Sequence, residues 1–118
     1  MTKVCIIGAG STVFTKNIVT DLFLTKEFKE IEIALMDIDP KRLQLTNEVI
    51  SLIANKFDLF PRISTHLDRR EALQGADFVQ TTFQVGGYDP STIIDFEIPK
   101  KYGLDQTIGD TIGIGGIM

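Results

Sequence analysis

Residues 4–14 read VCIIGAGSTVF, and the fold turns on this stretch. The apolar, β-branched run from Val4 to Ile7, stopped by Gly8, reads as a strand buried on both faces of a parallel sheet. From Thr12 to about Thr25 the residues Phe14, Ile18, Val19, Leu22 and Phe23 recur at helical spacing, with Ser11 or Thr12 as the cap. A strand that passes through Gly8-Ala9-Gly10 into a helix predicts the opening of a βαβ unit.

Working outward, Ile31 to Met36 (IEIALM) form a second strand ending at Asp37. Asp39-Pro40 then supplies a capping carboxylate and a proline suited to the first helical position. The helix that follows is expected to bury Leu43, Val49, Ile50, Ile53 and Phe57, with Pro61 beyond its end. Arg62 to His66 read as a third strand, and Asp68 to Glu71 as a capping box for a short helix that runs to Leu73 and closes at Gly75. Asp77 to Val85 (DFVQTTFQV) read as a fourth strand. After Gly86-Gly87 a helix is expected from Ile93 to Tyr102, interrupted by Pro99.

Residues 103–118 hold five of the ten glycines and carry no stop signal, which reads as truncation of a longer chain. Alternating strands and helices under the right-handed crossover rule predict the strand order 3-2-1-4. The expected fold class is therefore α/β: a Rossmann-like doubly wound parallel sheet, cut before its later strands and a second domain.

The chain has 118 residues, 43% of them hydrophobic and 24% charged, as an ordinary globular sequence of one domain would. A net charge of −4 and a pI near 4.9 argue against nucleic acid or an anionic membrane as partner. No stretch approaches the ~18 apolar residues of a membrane span. The single Cys5 has no disulfide partner within the chain and no secretory signal precedes the first strand, so a cytoplasmic location is expected.

Gly8 and Gly10 lie directly after a strand and before a helix, the context in which Gly-x-Gly marks a dinucleotide turn. Gly8 allows the turn, Gly10 lets backbone approach a pyrophosphate, and the helix N-terminus directs N–H groups at it. Val13 stands where a third glycine usually lets helix and strand pack closely, so the helix must sit farther out or a neighbour must be small. The bland alternative is a tight turn with no ligand. Asp37, 29 residues after Gly8, stands at the end of the second strand, where an acid accepts hydrogen bonds from the adenosine ribose and disfavours a 2′-phosphate. Its alternative is merely to start the turn before Asp39. Gly86-Gly87 follows the fourth strand on the same sheet edge, either bordering the nicotinamide or making a plain turn. Cys5 reads as a small buried hydrophobe and His66 as a strand-end residue without ligand spacing. The charges at Lys26 to Glu30 and at Asp68 to Glu71 read as solvated.

Three strings carry a resemblance: GAGSTVFTKN (Gly8 to Asn17), ALMDIDPKRL (Ala34 to Leu43) and the block from Phe83 to Met118. Together they resemble the start of glycoside hydrolase family 4, in particular its melibiase-type α-galactosidases. The resemblance implies a glycosidase that uses NAD and manganese rather than paired carboxylates. Hydride would leave sugar C3 for the cofactor, the C2 proton would become acidic, and the glycosidic oxygen would be eliminated. Water would add at C1 and hydride would return. By the same resemblance Gly8, Gly10, Ser11 and Thr12 fall on the pyrophosphate turn, Asp37 on the ribose acid, and Gly86 and Gly87 on the loop beside nicotinamide and sugar. Asp110 falls near the sugar, or else only solvates a glycine-rich loop. The family's metal ligands, tyrosine base and aspartate acid would lie after residue 118, and Tyr88 and Tyr102 match neither role.

The reading is thus the NAD-binding N-terminal part of an α-galactosidase, a homo-oligomer at full length, with a small glycoside as substrate and this fragment inactive alone. The rivals are an NAD-dependent dehydrogenase of lactate or malate type, another sugar specificity within the family, and a nucleotide-binding module without catalysis.

Overall fold

The computed structural model describes residues 1–28 and 30–105. Its element order is β1 (Thr2–Ile7), α1 (Thr12–Leu24), a single 3-10 turn (Lys26–Phe28), β2 (Ile31–Met36), α2 (Pro40–Lys56), β3 (Arg62–His66), α3 (Arg69–Leu73), β4 (Phe78–Thr81), a wide helical turn (Gly87–Thr92) and α4 (Ile93–Lys101). The chain divides into two compact units, Met1–Phe83 and Gln84–Met118.

The first unit is a four-stranded parallel sheet in the predicted order β3-β2-β1-β4. Register is marked by a row of alternating charge, since Lys3 pairs with Glu32 and Glu32 with Arg62 across three strands. Their side chains follow suit: Lys3 Nζ lies 3.4 Å and Arg62 Nη1 3.6 Å from the Glu32 carboxylate. A one-residue slip would break that row and turn each apolar set to the wrong face.

One face of the sheet carries the main core. Val4 and Ile6 of β1 and Ile31, Ile33 and Leu35 of β2 pack with Val19 and Phe23 of α1 and Leu43, Ile50 and Ala54 of α2. The opposite face is lined by Cys5, Ala34 and Met36 and covered by Ala72 of α3. Small side chains there let a helix of only five residues lie close to the strands. Cys5 is fully buried, and burial pushes its thiol upward against a smaller opposing pull from Lys3, as expected of a packing residue.

Both carboxylate caps form, although the Glu71 carboxylate lies beside His66 Nδ1 and does not complete the expected capping box. Asp39 accepts from the amides of Lys41 and Arg42 at the start of α2, and Asp68 accepts from Arg70 and Glu71 at the start of α3. Ser11 precedes α1 without a side-chain capping bond, because its ψ of 73° is not the extended conformation that aims a hydroxyl at the first turn. The buried stripe of α2 is Leu43, Thr46, Ile50 and Ala54, whereas Phe57 terminates the helix and is 42% exposed. The fourth strand is shorter than the expected Asp77 to Val85. It pairs only with β1, and that register stops at Ile7 opposite Thr81, because β1 turns away at Gly8.

In the second unit, α4 runs through Pro99, which is buried. The proline lies in the last turn of the helix, where the lost bond and the crowding fall on a single carbonyl, and the helix continues to Lys101 without the expected interruption. Among the described residues no helix is long and apolar enough to cross a membrane.

Ile33, fully buried at the centre of β2, is the test of this core. Ile33→Ala is expected to cost about 2–5 kcal/mol in urea unfolding, while Phe60→Ala, at a residue 92% exposed, is expected to stay within about 0.5 kcal/mol.

Candidate functional site

The carboxyl ends of β1 and β2 meet at the glycine turn. The amides of Gly8 and Ala9 both donate to the Met36 carbonyl at 2.9 Å, which fastens the chain leaving β1 to the end of β2. Gly8 has a φ of +88°, and a Cβ there would fall 2.7 Å from the carbonyl carbon of Thr82 and 2.9 Å from Phe83 Cβ. Only glycine satisfies both the conformation and the close approach. Ser11 N then donates to Gly8 O at 3.0 Å, and Thr15 N to Ser11 O at 3.0 Å begins α1.

Asp37 is part of this turn. Its Oδ2 accepts the Gly10 amide at 2.7 Å and its Oδ1 accepts the Asp39 amide at 2.9 Å. Both readings of Asp37 are therefore physically present: one oxygen starts the turn before the α2 cap, and the other reaches the glycine turn. A carboxylate has about four lone-pair positions, so about two remain for hydroxyl donors of a ligand. The space opened by Gly10 is filled from within. A Cβ on Gly10 would lie 2.6 Å from Asp37 Oδ2 and 2.9 Å from Arg42 Cβ.

Beneath the turn lies a group of threonines. Thr15 Oγ1 donates to Ala9 O at 3.1 Å and Thr46 Oγ1 to the same carbonyl at 2.9 Å, both residues being fully buried. Thr12 Oγ1 lies 2.8 Å from Thr46 Oγ1. Val13, at the third-glycine position, is 65% exposed and does not separate helix from sheet. The close contact is made instead by Ala9, the small neighbour, and by the threonine hydroxyls.

The turn also has unspent donors. The amides of Thr12, Val13 and Phe14 precede the first intrahelical bond of α1, and the Ser11 hydroxyl makes no capping bond. Next to Gly8, the buried hydroxyl of Thr82 has no hydrogen-bond partner. Backbone donors at a helix N-terminus, an orphaned hydroxyl and an acid at the end of the neighbouring strand fit a ribose-pyrophosphate group.

Gly86 and Gly87 belong to the second unit, with φ of +86° and +67°, and open its helical turn. A Cβ on Gly86 would collide with the Ser91 hydroxyl, so that glycine has a local cause. Asp110 lies outside the described residues. His66 ends β3, with Nε2 3.0 Å from Ser64 Oγ and Nδ1 3.8 Å from Glu71 Oε2. A cleft of 330 Å³ between α2 and the end of β3 is lined by Pro40, Leu43, Gln44, Asn47, Thr65, His66 and Leu67 and contains no residue of the glycine turn. No group of three or more His, Cys, Asp or Glu comes together as a metal site among the described residues. Sequence reasoning missed Thr15, Thr46 and Thr82. The only local signal was a polar residue at a helix-core position for Thr46 and a hydroxyl pair at the end of β4 for Thr82.

If the Asp37 carboxylate is what excludes a side chain at residue 10, Gly10→Ala should destabilise by about 1–3 kcal/mol. It should cost less in an Asp37→Ala background, and a double-mutant cycle in urea reads the difference. Equal cost in both backgrounds would place the obstruction at Arg42 alone.

Residues 3–118 match the model of the family described as family 4 glycosyl hydrolase. An α-galactosidase of Bacillus subtilis (strain 168) is 52% identical over 117 residues, covering 99% of this chain and 27% of its own length. An α-galactosidase of Rhizobium meliloti (strain 1021) is 40% identical, covering 98% of this chain and 24% of its own length. The chain thus spans about a quarter of the length of these curated relatives. Among solved structures, a 6-phospho-α-glucosidase from gut microorganisms, in complex with NAD and Mn2+, superposes with a TM-score of 0.74 at 29% identity, covering 98% of this chain and 26% of that one. The strand-turn-helix with its acid after β2 is therefore the amino-terminal part of a known architecture, and the chain belongs to family 4 of the glycosyl hydrolases.

Proposed function

We propose that this chain is the NAD-binding N-terminal part of a glycosidase acting on α-galactosides by redox-assisted elimination and addition. The observation that carries the cofactor reading is the Asp37 carboxylate, held by the Gly10 and Asp39 amides at the end of β2 with lone pairs to spare. The α-galactosidase relative at 52% identity supports the sugar. Family membership favours this reading over a dehydrogenase of lactate or malate type.

In this reading the first-turn amides of α1 and the Ser11 hydroxyl bind the pyrophosphate, and Asp37 accepts the ribose hydroxyls. Gly8 keeps the turn pressed against the end of β4, so these donors stay fixed relative to the sheet. NAD, when bound, supplies a hydride acceptor that becomes the donor again within one turnover. Gly86 and Gly87 are proposed to border the nicotinamide and sugar, and Asp110 to lie near the sugar. The described residues offer no ligand set for manganese. A cytoplasmic homo-oligomer is the proposed full-length form.

Titration calorimetry with NAD and NADP tests the cofactor reading. NAD is expected to bind more tightly, because the Asp37 carboxylate would face the 2′-phosphate. Equal affinities would mean that Asp37 does not meet the ribose. The 118-residue chain alone is expected to release no nitrophenol from a nitrophenyl α-galactoside with NAD and manganese present; release would overturn the assignment of the chemistry to residues outside it.

A further inference from the structure

We propose that Thr46 is a positioning residue for the dinucleotide: it engages the Ala9 carbonyl and holds the hydrogen of the Thr12 hydroxyl beneath the glycine turn, away from the pyrophosphate. The proposal rests on the dinucleotide reading above and adds a residue from outside the turn, on the second helix.

Each threonine hydroxyl has one hydrogen to donate and two lone pairs to accept with. Thr15 and Thr46 both direct their hydrogen at the Ala9 carbonyl, at 3.1 and 2.9 Å, which fills its two lone pairs. In the 2.8 Å contact between Thr12 and Thr46, Thr46 has no hydrogen left, so Thr12 is the donor. The carbonyl of Gly10, 3.4 Å from Thr12 Oγ1, is too distant to compete well.

Two consequences bear on a bound anion. A pyrophosphate oxygen only accepts hydrogen bonds, so an outward carbonyl on the turn would repel it and a committed hydroxyl would not help it. With Thr46 in place, the Ala9 carbonyl is saturated on the inner side and Thr12 has only lone pairs to present. Of the hydroxyls on the turn's own residues, that of Ser11 makes no capping bond and remains free to donate. Ser11 and Thr12, adjacent in sequence, thus divide their work: Ser11 meets the phosphate through its side chain, and Thr12 through its amide alone.

The position of Thr46 gives it a second consequence. It lies on α2, two helical turns after the Asp39 cap, and Asp37 holds the amide of that same cap residue. Thr46 and Asp37 therefore fasten α2 to the glycine turn at two points, one beneath the pyrophosphate and one beside the ribose. Replacing Thr46 by valine would leave one lone pair of a buried carbonyl unsatisfied and free the Thr12 hydroxyl to rotate.

The test uses the 118-residue chain and its Thr46→Val, Thr46→Ser, Thr12→Val, Ser11→Ala and Thr12→Val/Thr46→Val variants. NAD is titrated into each, and amide exchange is followed by NMR without ligand. Thr46→Val is expected to weaken NAD about five- to tenfold, Thr46→Ser to restore the unsubstituted affinity, and the double variant to bind no more weakly than Thr46→Val alone. Ser11→Ala should weaken binding additively with Thr46→Val. Exchange at the Gly10 and Ser11 amides should rise in Thr46→Val while amides of β2 stay protected. Additive losses from Thr12→Val and Thr46→Val, or a serine variant as weak as the valine one, would overturn the proposal, since Thr12 would then act on phosphate directly or Thr46 by packing alone. Failure of the unsubstituted chain to bind NAD would overturn the dinucleotide reading itself, and with it the pyrophosphate role of Thr46. Unchanged affinity in Thr46→Val with a binding parent would sink only the latter.

Discussion

The carboxylate of Asp37 ties together two reversals of the chain that would otherwise be independent. Its oxygens take the Gly10 amide, from the turn after β1, and the Asp39 amide, from the turn after β2. Hydrogen bonds to a charged group contribute roughly 1.5–3 kcal/mol each, more than a neutral pair. Together with the Gly8 and Ala9 amides on the Met36 carbonyl, they make the ends of the two central strands one rigid piece. The direction of both following helices is set from that piece. The place a side chain on Gly10 would take is already filled by the Asp37 carboxylate and Arg42 Cβ.

Much of this was legible in the sequence, and the legible parts share a cause. β2 and β3 were read at their observed limits, and the caps at Asp39 and Asp68 at their observed atoms, because apolar alternation and an acid before a helix are local signals. The strand order followed from the alternation of strands and helices and the handedness of doubly wound sheets. What was missed depends on distant partners. The end of β4 is set by where β1 turns away, a fact recorded some 70 residues earlier in the chain. Thr46 went unremarked within the apolar stripe, and its partners, the Ala9 carbonyl 37 residues away and the Thr12 hydroxyl, account for its complete burial. Phe57 continued the apolar spacing but fell on the residue that ends α2, so it stayed half in solvent.

The two faces of the sheet are built to different standards, and the site lies where the stronger one ends. The face under α1 and α2 carries the large aliphatic side chains, each worth roughly 1.5–3 kcal/mol when fully buried. The other face is a thin layer of Cys5, Ala34 and Ala72 with Met36. A site assembled at the carboxyl ends of β1 and β2 thus stands on the two strands that contribute five residues to the main core. That placement suits a turn whose donors must hold their positions without a ligand, because movement there would require disturbing the best-packed part of the unit.

Val13 tests how far the fingerprint itself should be trusted. The third glycine of the usual pattern exists so that helix and strand can pack closely. In this chain the same closeness is obtained by other means: Ala9 is small and buried, and Thr15 and Thr46 reach its carbonyl through hydroxyls. With the contact made one turn deeper, residue 13 faces outward and its size is of no account to the sheet. The missing glycine is therefore no sign of a defective turn. It marks a turn held by side-chain hydrogen bonds from two helices, where the usual one relies on backbone proximity to a single strand.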